Sequence, residues 1–233
     1  LNPNAVLGRN VVYDGVEYHV TPDDWTKEAY RTSMRQEYNV SAASSADRLS
    51  FFASFGYLND QGIGRNSDMT RYTARLKADC NAKSWLTLGM QANYTIFYYY
   101  SISGGDASSS GNIFAYTTRI GPIYPLYIRD AEGNIMKDDR GLYWYDYGNG
   151  DNAGMERSLF PNSNAVAETQ LDKSVSEGNA FTGSGYFDII FLPELKFTFS
   201  AGVVLDETRG TSVQNPYYGQ FASQNGIVSK GHS

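Results

Sequence analysis

Between Trp85 and Tyr98 the residue types alternate with a period of two. Leu86, Leu88, Met90, Ala92, Tyr94, Ile96 and Tyr98 fall on one parity, and Thr87, Gly89, Gln91, Asn93 and Thr95 on the other. Only a pleated strand sends successive side chains to opposite faces, so the run predicts a strand with one apolar and one polar face. Strands of soluble sheets run to about five or six residues, and this one is more than twice that. The preceding segment has the same form. Tyr72, Ala74, Leu76, Ala78 and Cys80 lie on one face, with Arg71, Thr73, Arg75, Lys77 and Asp79 on the other. So do Leu49, Phe51, Ala53, Phe55 and Tyr57, against Ser50, Ser54 and Gly56, with Phe52 an exception. The pattern returns at Phe187, Ile189 and Phe191, and again at Phe197, Phe199, Ala201, Val203 and Leu205. No amphipathic helix of any length is visible. A short one is predicted at Asp23–Arg31, capped by Asp23 or Asp24, behind a hairpin turned at Asp14-Gly15.

The strands read from this pattern are 36–44, 48–58, 69–80, 84–99, 185–191 and 195–206. Short connections at Ser44–Asp47, Asn81–Ser84 and Leu192–Glu194 alternate strictly with long ones starting at Asn59, Tyr99 and Asp206. Two architectures produce such a chain. One is a soluble antiparallel sandwich with a wet face on each sheet. The other is a transmembrane barrel, whose strands are long, whose lumen is polar, whose apolar band is edged by aromatics, and whose short and long turns sit on opposite sides. Strand length, the polar-face series Arg71, Arg75, Lys77, Asp79, and the placing of Tyr57, Tyr72, Tyr94 and Tyr98 favour the barrel. Six strands leave open edges, which lipid does not tolerate, so the chain is expected to be part of a larger wall. Its opening at Leu1, with no leader pattern, is read the same way.

Composition removes other classes. A net charge of −6 with no basic block is unsuited to nucleic acid. An aromatic content of 15% argues against disorder. The single cysteine, Cys80, rules out an internal disulfide framework and a Cys-based zinc site. No run of 18 apolar residues exists to make a transmembrane helix, which says nothing against a barrel.

The motifs Gln36-Glu37-Tyr38-Asn39-Val40-Ser41, Phe52-Ala53-Ser54-Phe55-Gly56-Tyr57-Leu58-Asn59-Asp60-Gln61-Gly62-Ile63, Arg71-Tyr72-Thr73-Ala74-Arg75-Leu76 and Trp85-Leu86-Thr87-Leu88-Gly89 carry a resemblance. So do Pro122-Ile123-Tyr124-Pro125-Leu126-Tyr127, Phe191-Leu192-Pro193-Glu194-Leu195 and Asn215-Pro216-Tyr217-Tyr218-Gly219. In order and spacing they resemble the early barrel region of SusC/RagA-type TonB-dependent transporters of Bacteroidetes. The resemblance implies a bacterial outer-membrane location and an antiparallel barrel of twenty-two strands with an N-terminal plug. It implies a SusD-like lipoprotein lid, coupling to TonB, import of oligosaccharides or peptides, and a dimer of transporter–lipoprotein pairs as one assembly. The plug and the TonB box have no counterpart in this sequence. On this reading residues 1–35 are an extracellular loop with a hairpin and helical turn, 36–99 four barrel strands, 100–184 a long extracellular loop, 185–206 two further strands, and 207–233 the start of the next loop.

Candidate sites follow from residue type. Aromatic faces beside Asp and Asn suit stacking on sugars and bonding to their hydroxyls. Tyr99 and Tyr100 at a strand end, and Tyr143, Trp144, Tyr145, Asp146 and Tyr147 in the long loop, form the substrate-binding set, with packing of the loop or of a lid as the alternative. Arg71, Arg75, Lys77, Gln91 and Asn93 are expected to face the lumen or the plug. Phe51, Phe55, Tyr72, Leu76, Leu88, Met90, Tyr94, Phe197 and Phe199 are expected to face lipid. Asp130, Glu132, Asp138 and Asp139 surround Gly133-Asn134 without a calcium-loop pattern, and Asp130–Asn134 reads more simply as a hairpin turn. Gly104-Gly105 and Gly183-Ser184-Gly185 read as flexible turns. His19 and His232 stand alone, no carboxylate pair can be singled out, and no catalytic residue, metal or other cofactor is expected. Two other functions stay open: a secreted β-sandwich that binds carbohydrate, and a β-rich glycoside hydrolase using a carboxylate such as Asp146 or Asp151.

Overall fold

The computed structural model describes residues 7–102, 112–218 and 224–233. Gly104-Gly105 and Gly219 lie outside the described residues. A hairpin of β1 (Arg9–Tyr13) and β2 (Val16–Val20) turns at Asp14-Gly15, both with positive φ. Helix α1 spans Trp25–Ala29. Then come β3 (Arg35–Ala46), β4 (Leu49–Gln61), β5 (Asp68–Lys83) and β6 (Leu86–Tyr100). Helices α2 (Ile113–Arg119) and α3 (Ala165–Leu171) lie in the long connection, followed by β7 (Lys173–Leu192), β8 (Leu195–Gln214) and β9 (Ile227–His232). Strands β3 to β9 form one antiparallel sheet in chain order, an open meander.

The register fixes the faces, because directly paired residues point the same way. Phe55 pairs with Ala74, Ala74 with Tyr94, Tyr94 with Phe181, and Phe181 with Leu205. That row and its neighbours two residues apart gather Phe51, Tyr72, Leu76, Leu88, Met90, Phe197 and Phe199 on one apolar face. Arg75 pairs with Asn93, and Lys77 with Gln91, on the opposite, polar face, which also carries Arg71. Among the described residues no second sheet covers either face of this one. Val40 is 71% exposed and Met90 59%. The chain's 14065 Å² of accessible surface exceeds by about a third the roughly 10,500 Å² of a compact monomer of this mass. A sandwich would bury that apolar face against a partner sheet, and among the described residues there is none.

Two-residue turns at Asp47-Arg48, Ser84-Trp85 and Pro193-Glu194 join strands at one end. Residues 62–67, 101–172 and 215–226 connect them at the other. The structure corrects the second half of the sequence reading. Strand β7 starts at Lys173 and β8 runs to Gln214, each 20 residues long. Gly183-Ser184-Gly185 is therefore strand, where a flexible turn was expected. A seventh strand, β9, lies within 207–233, where only loop was expected. The added lengths carry Glu177, Asn179, Glu207 and Arg209 at apolar-face positions, so hydrophobic alternation is lost while pairing continues.

Side chains lock the sheet on its polar face. Gly89 pairs directly with Tyr186. The Tyr186 ring lies across the glycine, where any Cβ would collide with it. Its hydroxyl donates to Asp79 Oδ1 at 2.8 Å, joining β7 to β5 over β6. We expect Gly89→Val to lower the unfolding midpoint of the protein in detergent by an amount equivalent to about 1–3 kcal/mol. Tyr186→Ala should recover part of that loss. A Gly89→Val protein as stable as wild type would show that the ring does not pack there.

Candidate functional site

The apolar cores of the molecule lie in the loops. Trp25, Tyr116, Leu126, Tyr145, Phe160 and Val166 belong to one buried cluster, and Tyr18, Val20, Ile128 and Met155 to another. Helix α1 is held by Asp24, whose side chain accepts from Thr26 N at 3.0 Å and Lys27 N at 3.1 Å. These bonds hold the Asp24 carboxyl below its ordinary value, with the Thr26 hydroxyl contributing most. Asp23, the other capping candidate, instead binds Arg129 at 2.6 and 3.0 Å and accepts from Leu126 N. Asn112 caps α2, and Asn164 caps α3 through Ala167 N. The turn 62–67 anchors this assembly to the sheet. Arg65 donates to Glu28 O at 2.8 Å, Asn66 to Thr169 O at 2.8 Å, and Arg31 pairs with Asp68.

Residues 126–149 show a regularity that hydrophobic periodicity does not report. Ile128, Met136 and Trp144 stand eight apart and close a ring of backbone bonds. Ile128 N donates to Trp144 O (2.8 Å), Met136 N to Ile128 O (2.9 Å) and Trp144 N to Met136 O (2.9 Å). Between them, Asp130–Gly133 and Asp138–Gly141 make matching turns. Asp130 Oδ1 accepts from Asn134 N, and Asp138 Oδ1 from Leu142 N. Gly133 and Gly141 have φ of 86° and 82°, the left-handed region that glycine enters without strain. The Asp130–Asn134 segment is thus a hairpin turn. The spacing Asp-x-x-Gly, repeated after eight residues, is the sequence signal for it.

Within the third octad, residues 144–151, and the segment behind it lies a buried ionic centre. Asp146 Oδ1 accepts from Gly148 N (2.6 Å), and Oδ2 accepts from Asn152 Nδ2 (2.8 Å). Arg157 lies 3.4 Å away and donates to Ser163 O at 2.6 Å. Asn164 Nδ2 bonds Asp146 O and Leu126 O. Burial raises the Asp146 carboxyl above its ordinary value, against the lowering effect of Arg157. A second pair of fastenings ties in the next loop. Tyr218 donates to Asp138 Oδ2 at 2.7 Å, and Asp172 accepts from Asn215 N and Nδ2.

The predicted substrate-binding set is therefore divided. Tyr145, Asp146 and Tyr147 are buried in the loop core, a correction for Asp146 in particular, whose carboxylate is committed to Arg157 and Asn152. Tyr143 is exposed beneath Lys137 Nζ, 4.8 Å from its ring centroid. Tyr99 and Tyr100 are exposed at the end of β6. Two cavities result. One, of 570 Å³, has Tyr100, Asp68, Glu168, Asp172 and Lys173 among its walls. The other, of 530 Å³, is lined by Tyr13, Tyr18, Trp144, Tyr145, Tyr147 and Tyr218, with Asp14, Asp151 and Glu156 also on its walls. Both are of ligand-site size, and they are separate, so Tyr100 and Trp144 do not share a site. The second includes Tyr147, 5% exposed, whose hydroxyl has no partner among the described residues. An unpaired buried polar group costs about 1–3 kcal/mol. Sequence reasoning found Trp144, Tyr145 and Tyr147 but missed Tyr13 and Tyr18, which the β1–β2 hairpin brings from more than a hundred positions away. No cluster of metal-ligating side chains occurs among the described residues.

Comparison with known proteins bears on what this architecture is. No family model matches the chain. It is 25% identical over 202 residues to the TonB-dependent receptor SusC of Bacteroides thetaiotaomicron, covering 83% of this chain and 19% of that protein. It is 25% identical over 183 residues to the TonB-dependent receptor P26 of Formosa agariphila, covering 76% of this chain and 16% of that one. Among solved structures, the RagAB peptide transporter superposes with a TM-score of 0.63 at 21% identity, over 84% of this chain and 20% of that one. The RagAB peptide importer in its closed-closed state gives 0.61 at 18% identity, over 91% and 21%. The chain spans about a fifth of the length of these relatives. It resembles SusC/RagA-type TonB-dependent transporters in sequence and shares the fold of part of a RagAB barrel. It is a segment of a transmembrane β-barrel of the bacterial outer membrane.

Two outcomes test the loop core. Arg157→Ala leaves Asp146 buried without its cation, a change that costs about 3–5 kcal/mol. Hydrogen exchange should then show residues 126–170 opening while β4–β7 stay protected. Equal protection in the variant would show that the ion pair does not hold the loop. The second concerns Glu168, which burial, assisted by Asp172, pushes up to about 7. A folded value raised above the unfolded one gives stability that is present below about 4.5 and lost as pH rises through about 7. Protection of α3 should therefore fall between pH 5 and pH 8, and Glu168→Gln should flatten the profile.

Proposed function

We propose that this chain contributes wall strands and outer loops to an importer of oligosaccharide or peptide nutrients. The observation that carries this reading is a seven-stranded sheet with one apolar face uncovered and its long connections gathered at one end. On this reading Phe51, Phe55, Tyr72, Leu76, Leu88, Met90, Tyr94, Phe197 and Phe199 face lipid. Arg71, Arg75, Lys77, Gln91 and Asn93 face the lumen or the plug. The two-residue turns are periplasmic, and residues 1–34, 101–172 and 215–226 lie outside the cell. The outer end of β7 and β8 stands clear of the hydrocarbon, since about 9–11 residues suffice for a tilted strand to cross it.

The mechanism on this reading has three steps. Cargo binds outside among the loops, under a SusD-like lipoprotein lid. The plug then moves, driven by TonB from the periplasm. Cargo passes along the polar face of the wall. The chain itself makes or breaks no covalent bond. Its relatives are named as receptors and transporters, which supports a non-enzymatic role. Tyr99, Tyr100, Tyr143 and Trp144 remain the aromatic groups placed to meet cargo or lid. A dimer of transporter–lipoprotein pairs is the assembly the resemblance suggests.

The test is fractionation followed by uptake. Outer membranes are isolated, extracted with detergent and probed with an antibody to residues 137–143, an exposed turn. A detergent-dependent species that co-purifies with a lipoprotein, and whose nutrient uptake stops when TonB is removed, is the expected result. A detergent-independent soluble monomer would sink the proposal. Uptake that persists without TonB would remove the energised step.

A further inference from the structure

We propose that the 530 Å³ cleft between the β1–β2 hairpin and the third octad binds a primary ammonium group of an external ligand. The argument rests on which groups the cleft has and which it lacks. Six aromatic rings line it, with Trp144 half-buried and Tyr147 on the floor. Aromatic faces attract an ammonium through their quadrupoles, more strongly once water is excluded. Asp14, Asp151 and Glu156, all exposed, add three negative charges to the walls. None of the three forms an ion pair among the described residues; Asp151 only accepts a bond from Asn149, at 2.7 Å. Among the described residues no lysine, arginine or histidine lines the cleft. The guanidinium of Arg140 comes within 5.9 Å of the Tyr218 ring, but Asp138 holds it at 2.6 Å. The fold thus leaves the carboxylates uncompensated over an aromatic floor.

Tyr147 is 5% exposed, and its ring supplies part of the floor. An anionic ligand meets the three carboxylates and is disfavoured. A neutral sugar gains the stacking but not the ion pairs. The shared chemistry is the protonated amine, carried either by an amino sugar or by a lysine side chain. That the cleft faces the outside rests on the orientation proposed above; its ligand chemistry does not.

The experiment is calorimetric titration of the intact protein in detergent, at a pH well below the amine pKa. The probes are a β-1,4-linked glucosamine tetramer, its fully N-acetylated counterpart, a galacturonic-acid tetramer and a tetrapeptide with one lysine. At least one amine probe should bind ~10-fold or more tightly than the N-acetylated and acidic ones. Which amine probe binds names the source. The triple variant Asp14→Asn, Asp151→Asn, Glu156→Gln should erase the preference, and Trp144→Ala should weaken binding of every probe. Equal affinities, or a preference that survives the triple variant, overturns the inference. Heat-modifiable migration of the barrel on gels confirms that each variant is folded. Loss of amine preference in a protein that still fractionates with outer membranes and imports defeats this inference alone. Amine preference in a protein that proves soluble defeats the importer reading and leaves this one standing.

Discussion

A backbone in hydrocarbon has no water to bond, so each N–H and C=O must find another strand. That constraint organises the sheet. Strands β4 to β8 have ladder partners on both sides along their shared lengths. The outer edge of β3, and β8 below Thr208, have none among the described residues. An open edge of twelve residues in lipid is not a stable end state. The sheet is complete only as part of a closed wall, and its exposed apolar face makes sense for the same reason. The stability of this segment therefore lies in its ladders and in interlocks such as Tyr186 over Gly89. It owes little to a core behind the sheet.

The loops obey the opposite rule. Residues 7–34 and 112–172 fold by burying apolar surface, and among the described residues they hold the buried aromatic clusters. Their irregular backbone would leave many polar groups unpaired. Buried side chains stand in for a regular ladder. Asn164 caps α3 and also satisfies two carbonyls, and Asp23 takes the amides of Leu126 and Tyr127 together with Arg129. Such a network specifies one arrangement because each member, once removed, strands a partner. Rigid loops of this kind can present a shaped cavity at the mouth of a barrel.

How much of this was legible depended on which physics applied locally. Inside the apolar band the pleat and the two-faced environment force a period of two, and the faces of β4, β5 and β6 follow from spelling alone. Phe52 breaks the pattern, pairing with Lys77 on the polar face. Where β7 leaves the band, Val175, Glu177 and Asn179 occupy the same parity as Phe181, and the hydrophobic signal ends although the hydrogen bonds continue. Strand β9, Ile-Val-Ser-Lys-Gly-His, has no alternation to detect. In residues 128–142 the ordering signal is turn chemistry, Asp-x-x-Gly at Asp130 and again eight residues later at Asp138. A search for apolar periodicity passes over it.

The aromatic residues show why composition alone could not locate a site. Tyr143 to Tyr147 are contiguous, yet the fold splits them between surface and core. Tyr145 and Tyr147 turn inward with Asp146, and Tyr143 turns out. What makes a cavity of the inward set is the β1–β2 hairpin, which lays Tyr13 and Tyr18 against it from the far end of the chain. The Asp14-Gly15 turn fixes where Tyr13 and Asp14 stand, so a local backbone preference near the start of the chain sets the shape and charge of a cleft built mainly from residues 128–156. Ligand chemistry there is a property of the junction. It changes if the hairpin register slips by one residue, because that slip would exchange Tyr18 for Glu17 on the inner face.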